Sequence, residues 1–278
     1  MTEHIDRNRV GRSFHRQAAE YDRYASVQKR VVKRMVSLVK NHVVGIPESV
    51  LDIGCGTGHL LSLLRTEFPH SRLYGLDLAY NMTNCASAHL GTEAQFVNAD
   101  AESLPFRDGA FDLLVSTSTL QWLDNLDLFF QQARRVTHAN GLLCVAFFGG
   151  KTLCELRECC REVLEQRTGS CSGYIDRLHR FMDRADVEHA LERIDFGQAI
   201  IMSEIETDYY ADVHDLLRSI KRIGAGPSPQ GDSKGGLGWR GILDEISRLY
   251  RDRYGDDRGK VPATYEVMYV VARCRANS

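Results

Sequence analysis

The sequence predicts an α/β fold with a mostly parallel sheet and helices on both of its faces. Two observations carry this. From residue 49 onward, strand-like apolar runs alternate with amphipathic helical stretches, the rhythm of strand-helix-strand units. The first of those runs also passes through a glycine-rich turn straight into a helix, "VLDIGCGTGHLL" at 50–61. Turns of that kind hold nucleotides.

The elements follow in order. Val27, Val31, Met35, Leu38 and Val39 recur at helical spacing and predict a helix over 27–43. Ahead of it, "SFHRQAAEYDRYASVQ" carries Phe14, Tyr21 and Tyr24. Strands are predicted at 49–54, 72–77, 94–98, 111–116 and 141–148, separated by helices at 59–68, 80–90 and 124–138. The last of these helices has Leu126, Phe129, Phe130, Ala133 and Val136 on one face. After Gly149 and Gly150 the rhythm changes, and the strand-free, charge-rich stretch 152–192 predicts a helical insertion. A strand at 199–210 resumes the sheet, and a helix at 212–223 turns Val213, Leu216, Leu217, Ile220 and Ile223 inward. A Gly/Pro/Ser loop at 224–238, a helix at 239–252 and a strand at 264–274 close the chain. The whole is expected to be one domain over 1–278: a helical lid at 1–45, a cofactor-binding core at 46–150, a substrate-capping insertion at 151–196, and the rest of the sheet with substrate-side helices at 197–278.

Composition narrows the function. With 278 residues, 43% hydrophobic and 26% charged, the chain has an ordinary globular makeup and enough length for a large core. A net charge of −2 gives no overall field toward nucleic acid or an anionic membrane. No apolar run approaches the ~18–20 residues that span a bilayer, and the first residues lack a signal-peptide core. Eight cysteines show no paired spacing suited to zinc. Adjacent Cys159 and Cys160 read as plain helix residues. The expectation is a reducing cytoplasm and no metal.

Gly54, Gly56 and Gly58 form G-x-G-x-G, with His59 where a dinucleotide fingerprint has its last glycine. Asp77 ends "LYGLD" 19 residues beyond Gly58, where a carboxylate accepts both ribose hydroxyls of an adenosine. In "VNADAESLPF", Asp100 and Ala101 follow the third strand and are placed to read an adenine edge, with Leu78, Met82 and Ala101 about the ring. The alternative is a loop acid that caps the next turn. "FDLLVSTSTLQWLDN" runs from a buried strand into a polar and aromatic loop, and aromatic faces suit a cation such as a sulfonium.

In this order the features resemble the class I S-adenosylmethionine-dependent methyltransferases, over residues 50–148. The resemblance implies a Rossmann-like, seven-stranded sheet with its last strand antiparallel, and S-adenosyl-L-methionine as cofactor. It assigns Asp52, Gly54, Cys55, Gly56 and Gly58 to the methionine part, Asp77 to the ribose, and Asp100 with Ala101 to adenine, beside Leu78 and Met82. Ser116 and Tyr24 join the cofactor set.

The acceptor is chosen by what is added to such a core. Arg218, Lys221 and Arg222 give the 212–223 helix one basic side near the active edge, which suits an anionic acceptor. "STLQWLDNL", "LLRSIKRIGA" and "PATYEVMYVVAR", with the N-terminal segment, resemble the branch that methylates malonyl-acyl carrier protein in biotin synthesis. That resemblance implies methyl transfer to the free carboxylate of a malonyl thioester on the carrier's phosphopantetheine, giving the ester that primes pimeloyl synthesis.

A carboxylate is already ionised at neutral pH, so no catalytic base is expected. Arg218 or Lys221 is the expected carboxylate anchor, with Tyr21 and Tyr24 closing over the methyl and Gln121 and Trp122 lining the junction. Tyr265 is a further substrate-side position, with a core role as its alternative. An acidic carrier protein would meet Arg177, Arg180 and Arg184, although Asp176, Asp183, Asp186 and Glu188 lie nearby. Other acceptors in view are a small free acid such as trans-aconitate and a quinone-ring carbon. A cofactor-retaining binding module and a nicotinamide enzyme are the other classes.

Overall fold

A computed structural model describes residues 7–169, 181–194, 196–225 and 237–275. Two helices, α1 (Arg7–Tyr24) and α2 (Ser26–His42), precede the sheet. Then come β1 (Ser49–Ile53), α3 (His59–Glu67), β2 (Arg72–Asp77), α4 (Tyr80–Leu90), β3 (Ala94–Asn98), β4 (Phe111–Thr117), α5 (Leu126–Val136) and β5 (Thr137–Phe148). The second half supplies α6 (Cys154–Thr168), α7 (Arg184–Ile194), β6 (Ala199–Tyr210), α8 (Val213–Arg222), α9 (Leu237–Tyr254) and β7 (Val261–Arg273).

The seven strands run in the order β3-β2-β1-β4-β5-β7-β6. Pairings among β1 to β5 are parallel, and β7 lies antiparallel between β5 and β6. The chain winds outward from β1 to β3, then returns to place β4 on the other side of β1. That reversal opens a crevice at the carboxyl ends of β1 and β4, where open parallel sheets bind ligands.

Side chains alternate between two cores, as strand period requires. Val50, Leu113, Val115, Cys144 and Tyr269 join α2, α3, α6 and α9 on one face. Leu51, Leu114, Val145 and Val270 join α5 and α7 on the other, with Phe129 and Phe130 wholly buried. Burying one such side chain contributes about 1.5–3 kcal/mol.

Several boundaries differ from expectation, two of them with a plain physical cause. The helix predicted to reach 138 stops at Val136, because Thr137 already pairs with Phe111 and opens β5. His138, Ala139 and Asn140 then bulge into solvent, Asn140 at φ 64°, before Leu142 rejoins the register beside Leu113. β7 begins at Val261 rather than 264, since β6 pairs with it over its full length. Pro262 is tolerated there because β5 pairs with β7 only from Val267 onward.

The insertion is helical where it is described. α6 packs beside α9 on one sheet face and α7 beside α5 on the other, and Met182 adds one parallel bridge to Gly149. Cys159 and Cys160 are buried in α6, and the seven described cysteines are free. Arg184 pairs with Glu188 at 2.6 Å, whereas Arg177 and Arg180 lie outside the described residues, as does most of the 224–238 loop. No described helix is long and apolar enough to cross a membrane.

The N-terminal helices are tied down separately. Ala25, 1% exposed, breaks α1 from α2. On α2, Arg30 pairs with Glu206 at 2.5 Å and Asp208 at 2.7 Å, and Arg34 with Glu204 at 2.6 Å, along one side of β6. Half-exposed pairs of this kind contribute little stability each, about 0–1 kcal/mol. They fix where α2 sits on the sheet edge, and so where α1 leaves it.

Candidate cofactor and acceptor site

The site is built from the turn after β1. Gly54, Gly56 and Gly58 all hold positive φ, at 73°, 53° and 83°. The N–H groups of Gly54 and Cys55 both donate to Leu76 O, at 2.7 and 2.9 Å, which straps the turn to β2. A Cβ on Gly54 would stand 2.0 Å from Thr119 Oγ1, so this residue must be glycine twice over. Gly58 starts α3 and meets Ala86 and Leu90 of α4; it sets helix packing and does not line the cavity.

Asp77 sits at the tip of β2. Its Oδ2 accepts from Gly56 N at 3.0 Å and its Oδ1 from Ala79 N at 2.8 Å. Burial pushes its pKa up to about 6 against the pull of those two bonds. Asp52, 1% exposed, lies behind it with Oδ1 unpartnered. Burial first, and the charge of Asp77 second, push Asp52 up to about 8. Asp77 lies on the floor of the site and Asp52 beneath it, outside the lining, with no cation among the cleft's lining residues. A positively charged ligand group would relieve both. Cys55, buried and near both acids, is pushed well up and stays a thiol.

Above this floor lies a cleft of about 720 Å³. Gly54, Gly56, Asp77, Leu78, Met82, Asp100 and Ala101 line one side of it, with Tyr21, Trp122 and Phe14 on the other. Leu78 is 40% exposed at its rim. Asp100 also accepts from Glu102 N at 2.9 Å, so it caps the following turn as well as facing the cleft. A second hollow of about 420 Å³ adjoins, sharing Tyr21, Gly54, Gly56, Thr117 and Ser118 and adding Cys55, Thr57, His59 and Lys29. Burial holds His59 below the usual imidazole range, hence neutral.

The lid is α1. Asp22 accepts from Thr57 Oγ1 at 2.8 Å, and Asn81 Nδ2 donates to His15 O at 2.9 Å. Ala18 packs on Ala79 and Met82, and Phe14 meets Trp122 edge-on at 5.5 Å between ring centres. Burial, then the charges of Asp77 and Asp22, raise the Tyr21 phenol well above its ordinary range, so it remains a hydroxyl donor.

Several expected site residues stand elsewhere. Ser116 is fully buried and donates to Ile53 O at 2.7 Å, tying β4 to β1. Gln121, 4% exposed, donates to Ser118 O and supports the loop from behind. Tyr265 belongs to the core, its hydroxyl 3.2 Å from that of Tyr210 and its ring against Phe148. Tyr24 stands outside the cleft with its ring under the Arg222 guanidinium at 4.5 Å. Arg218 is exposed, bonded to His214 O and close to Asp215 of its own helix, and Lys221 is exposed too. The cause is shared by these last two: burying Val213, Leu216 and Ile220 turns their side of α8 to solvent. Among the described residues, none of 151–196 lines either hollow.

Sequence reasoning gave no role to Phe14, Thr119, Leu123 and Gly11, which line the cleft. Phe14, Ala18 and Tyr21 recur at i, i+4 and i+7, a helical stripe that marks one face of α1. Thr119 has no such signal; only the fold brings it onto Gly54.

Comparison with known proteins agrees with this geometry. Residues 51–145 match a family described as "Methyltransferase domain". The malonyl-[acyl-carrier protein] O-methyltransferase of Geobacter sulfurreducens is 44% identical over 97% of this chain and 99% of its own. A putative methyltransferase from Bacillus halodurans superposes with a TM-score of 0.61 at 17% identity, over 88% of this chain and 99% of that one. Phosphoethanolamine N-methyltransferase 2 of Haemonchus contortus, solved with S-adenosyl-L-methionine, gives 0.52 at 19% identity, over 88% of this chain and 53% of that one. The fold is that of the class I methyltransferases, and the cofactor is S-adenosylmethionine. Through a similarity that runs nearly end to end, the chain belongs to the malonyl-[acyl-carrier protein] O-methyltransferase family.

Proposed function

We propose that this enzyme methylates the free carboxylate of a malonyl thioester carried on acyl carrier protein, in biotin synthesis. The observation that carries this is the 44% identity over 97% of the chain to a relative of that name. The cleft supports it with Asp77 and Asp100 on one side and Phe14, Tyr21 and Trp122 on the other.

When bound, S-adenosylmethionine supplies a methyl group made electrophilic by its sulfonium. In this reading Asp77 accepts the ribose hydroxyls through the lone pairs that Gly56 and Ala79 leave free. Asp100 and Ala101 face the adenine edge, and Leu78 and Met82 pack about the base. The Gly54–Gly56 backbone would lie along the methionine part, with the Asp77 carboxylate on the cleft side and the protonated Asp52 buried behind it. Tyr21 and Trp122 wall off the acceptor side and exclude water.

The acceptor carboxylate is ionised on arrival, since its ordinary pKa is ~4, so no side chain must remove a proton. The cleft's residues would hold its oxygen lone pair in line with the methyl that the bound cofactor would supply, the cofactor leaving as a neutral thioether. Two opposite charges are consumed, which an enclosed site of low polarity favours. In-line placement supplies the rest, on the order of 7–11 kcal/mol when the alignment is good. The ester hides the malonyl charge, so chain elongation treats it as an apolar acyl group on the way to pimeloyl.

The partner is therefore acyl carrier protein, with neither nucleic acid nor membrane engaged, in the cytoplasm. A net charge of −2 supports this reading. A side-by-side assay with malonyl-carrier protein, malonyl-coenzyme A, malonate, trans-aconitate and a quinone tests it. Methyl ester on a malonyl thioester is expected; turnover confined to a free acid or a ring carbon would reject it.

A further inference from the structure

The cleft poses a problem for an anionic acceptor. Its described lining holds Asp77 and Asp100 but no lysine, arginine or histidine. The two cations expected to anchor the carboxylate, Arg218 and Lys221, point into solvent. Arg222 is exposed as well and lines neither hollow, but one contact sets it apart from them. Arg222, the last residue of α8, lays its guanidinium over the ring of Tyr24 on the lid helix, 4.5 Å from its centre.

The backbone holds Arg222 against the lid. Ile223 N bonds Ser219 O at 3.2 Å and Ala225 N bonds Ile220 O at 3.1 Å, closing the end of α8. Gly224, at φ 80°, comes so close to α1 that a Cβ there would stand 2.9 Å from the Phe14 ring. Phe14 lines the cleft, as does Tyr21, one helical turn before Tyr24. Arg222 therefore stands on the seam where α8 meets the lid. Among the described residues no carboxylate pairs with it, whereas Arg30, Arg34 and Arg218 each have one. A guanidinium stacked on an aromatic face keeps its in-plane N–H groups free for a carboxylate.

We infer that Arg222 is the specificity-determining cation that receives the acceptor's carboxylate at the lid seam, with Tyr24 as the platform that orients it. This rests on the carboxyl-methylation reading. A single stacked guanidinium engages the acid through one edge, which leaves the second oxygen free to attack.

Equilibrium binding of malonyl-coenzyme A to protein loaded with S-adenosylhomocysteine tests this independently of turnover. Arg222→Gln should weaken that binding roughly 10- to 100-fold, the range of a lost charged hydrogen bond. Arg222→Lys should recover part of the loss. Arg218→Gln should match the wild type, and S-adenosylhomocysteine affinity should hold within about twofold throughout. In turnover, KM should rise by the same factor for coenzyme A and carrier-protein thioesters alike.

Equal malonyl-coenzyme A binding by wild type and Arg222→Gln would overturn the assignment. So would a loss seen only with the carrier-borne thioester, which would place Arg222 in protein docking. A wild type that binds the thioester through Arg222 yet transfers no methyl would sink the methylation reading and leave the anchor standing.

Discussion

Asp22 of the lid helix accepts a hydrogen bond from the hydroxyl of Thr57, 2.8 Å away on the glycine turn. One contact thus joins the segment that covers the cleft to the backbone that forms its floor. Loss of Thr57 Oγ1 leaves Asp22 without that donor, and Thr57→Val keeps the shape while removing it. Cofactor affinity should fall about fivefold, the value of one ordinary hydrogen bond. Calorimetric titration with S-adenosylhomocysteine measures this, and faster amide exchange over 11–24 should accompany it. An unchanged affinity would mean that Phe14 and Ala18 hold the lid without it.

Asp77 accepts two backbone bonds and still faces the cleft. Asp77→Asn puts a donor where the ribose hydroxyls need an acceptor, and affinity should drop roughly 10- to 100-fold. Protonation has the same effect. With a pKa pushed up to about 6 in the empty site, cofactor binding should weaken as pH falls through that value. Titrations across this range in wild type check it; a flat profile would remove Asp77 from the ribose.

The same acids govern the stability of the ligand-free protein. Asp77 at about 6 and Asp52 at about 8 lie above the ordinary carboxylate range, so the folded state holds these protons more tightly than the unfolded one. Their stabilising contribution is complete in acid below the unfolded value and is lost as pH rises through about 6 and then about 8. The melting temperature should accordingly fall between about pH 5.5 and about pH 8.5. Asp52→Asn should flatten the upper part of that slope. A wild-type melting curve that rises over this interval would contradict the buried acidic pair.

Gly54→Ala meets two obstacles, a left-handed backbone angle of 73° and the side chain of Thr119. Left-handed strain in a non-glycine residue costs about 1–3 kcal/mol, and the clash adds to it. Thermal denaturation should show the loss, with cofactor binding gone. Pairing it with Thr119→Gly should restore part of the stability, because the clash is removed and the strain is not. No recovery would mean that backbone strain alone sets the cost.

Much of this was legible in the sequence. Seven strand segments were readable because each is a short apolar run bounded by turns, and the acids at 52, 77 and 100 sit at fixed places relative to them. Asp77, Met82 and Ala101 all line the cleft. Helix faces were harder. Arg218, Lys221 and Arg222 look equivalent by spacing and all three are exposed, yet only Arg222 reaches the ring of Tyr24. Tyr265 was similarly open, because an alternating strand shows which residues share a face but not which face is covered. Here the face carrying Val261, Ala263, Tyr265 and Val267 is buried, and Tyr265 ends against Tyr210.

A crystal structure with S-adenosylhomocysteine and a non-hydrolysable malonyl thioester would test the whole scheme at once. The ribose hydroxyls should lie within hydrogen-bonding distance of Asp77, with the malonyl carboxylate facing the sulfur past Tyr21 and Trp122. A nucleoside bound away from Asp77, or a malonyl group whose thioester end rather than its acid faces the sulfur, would contradict it.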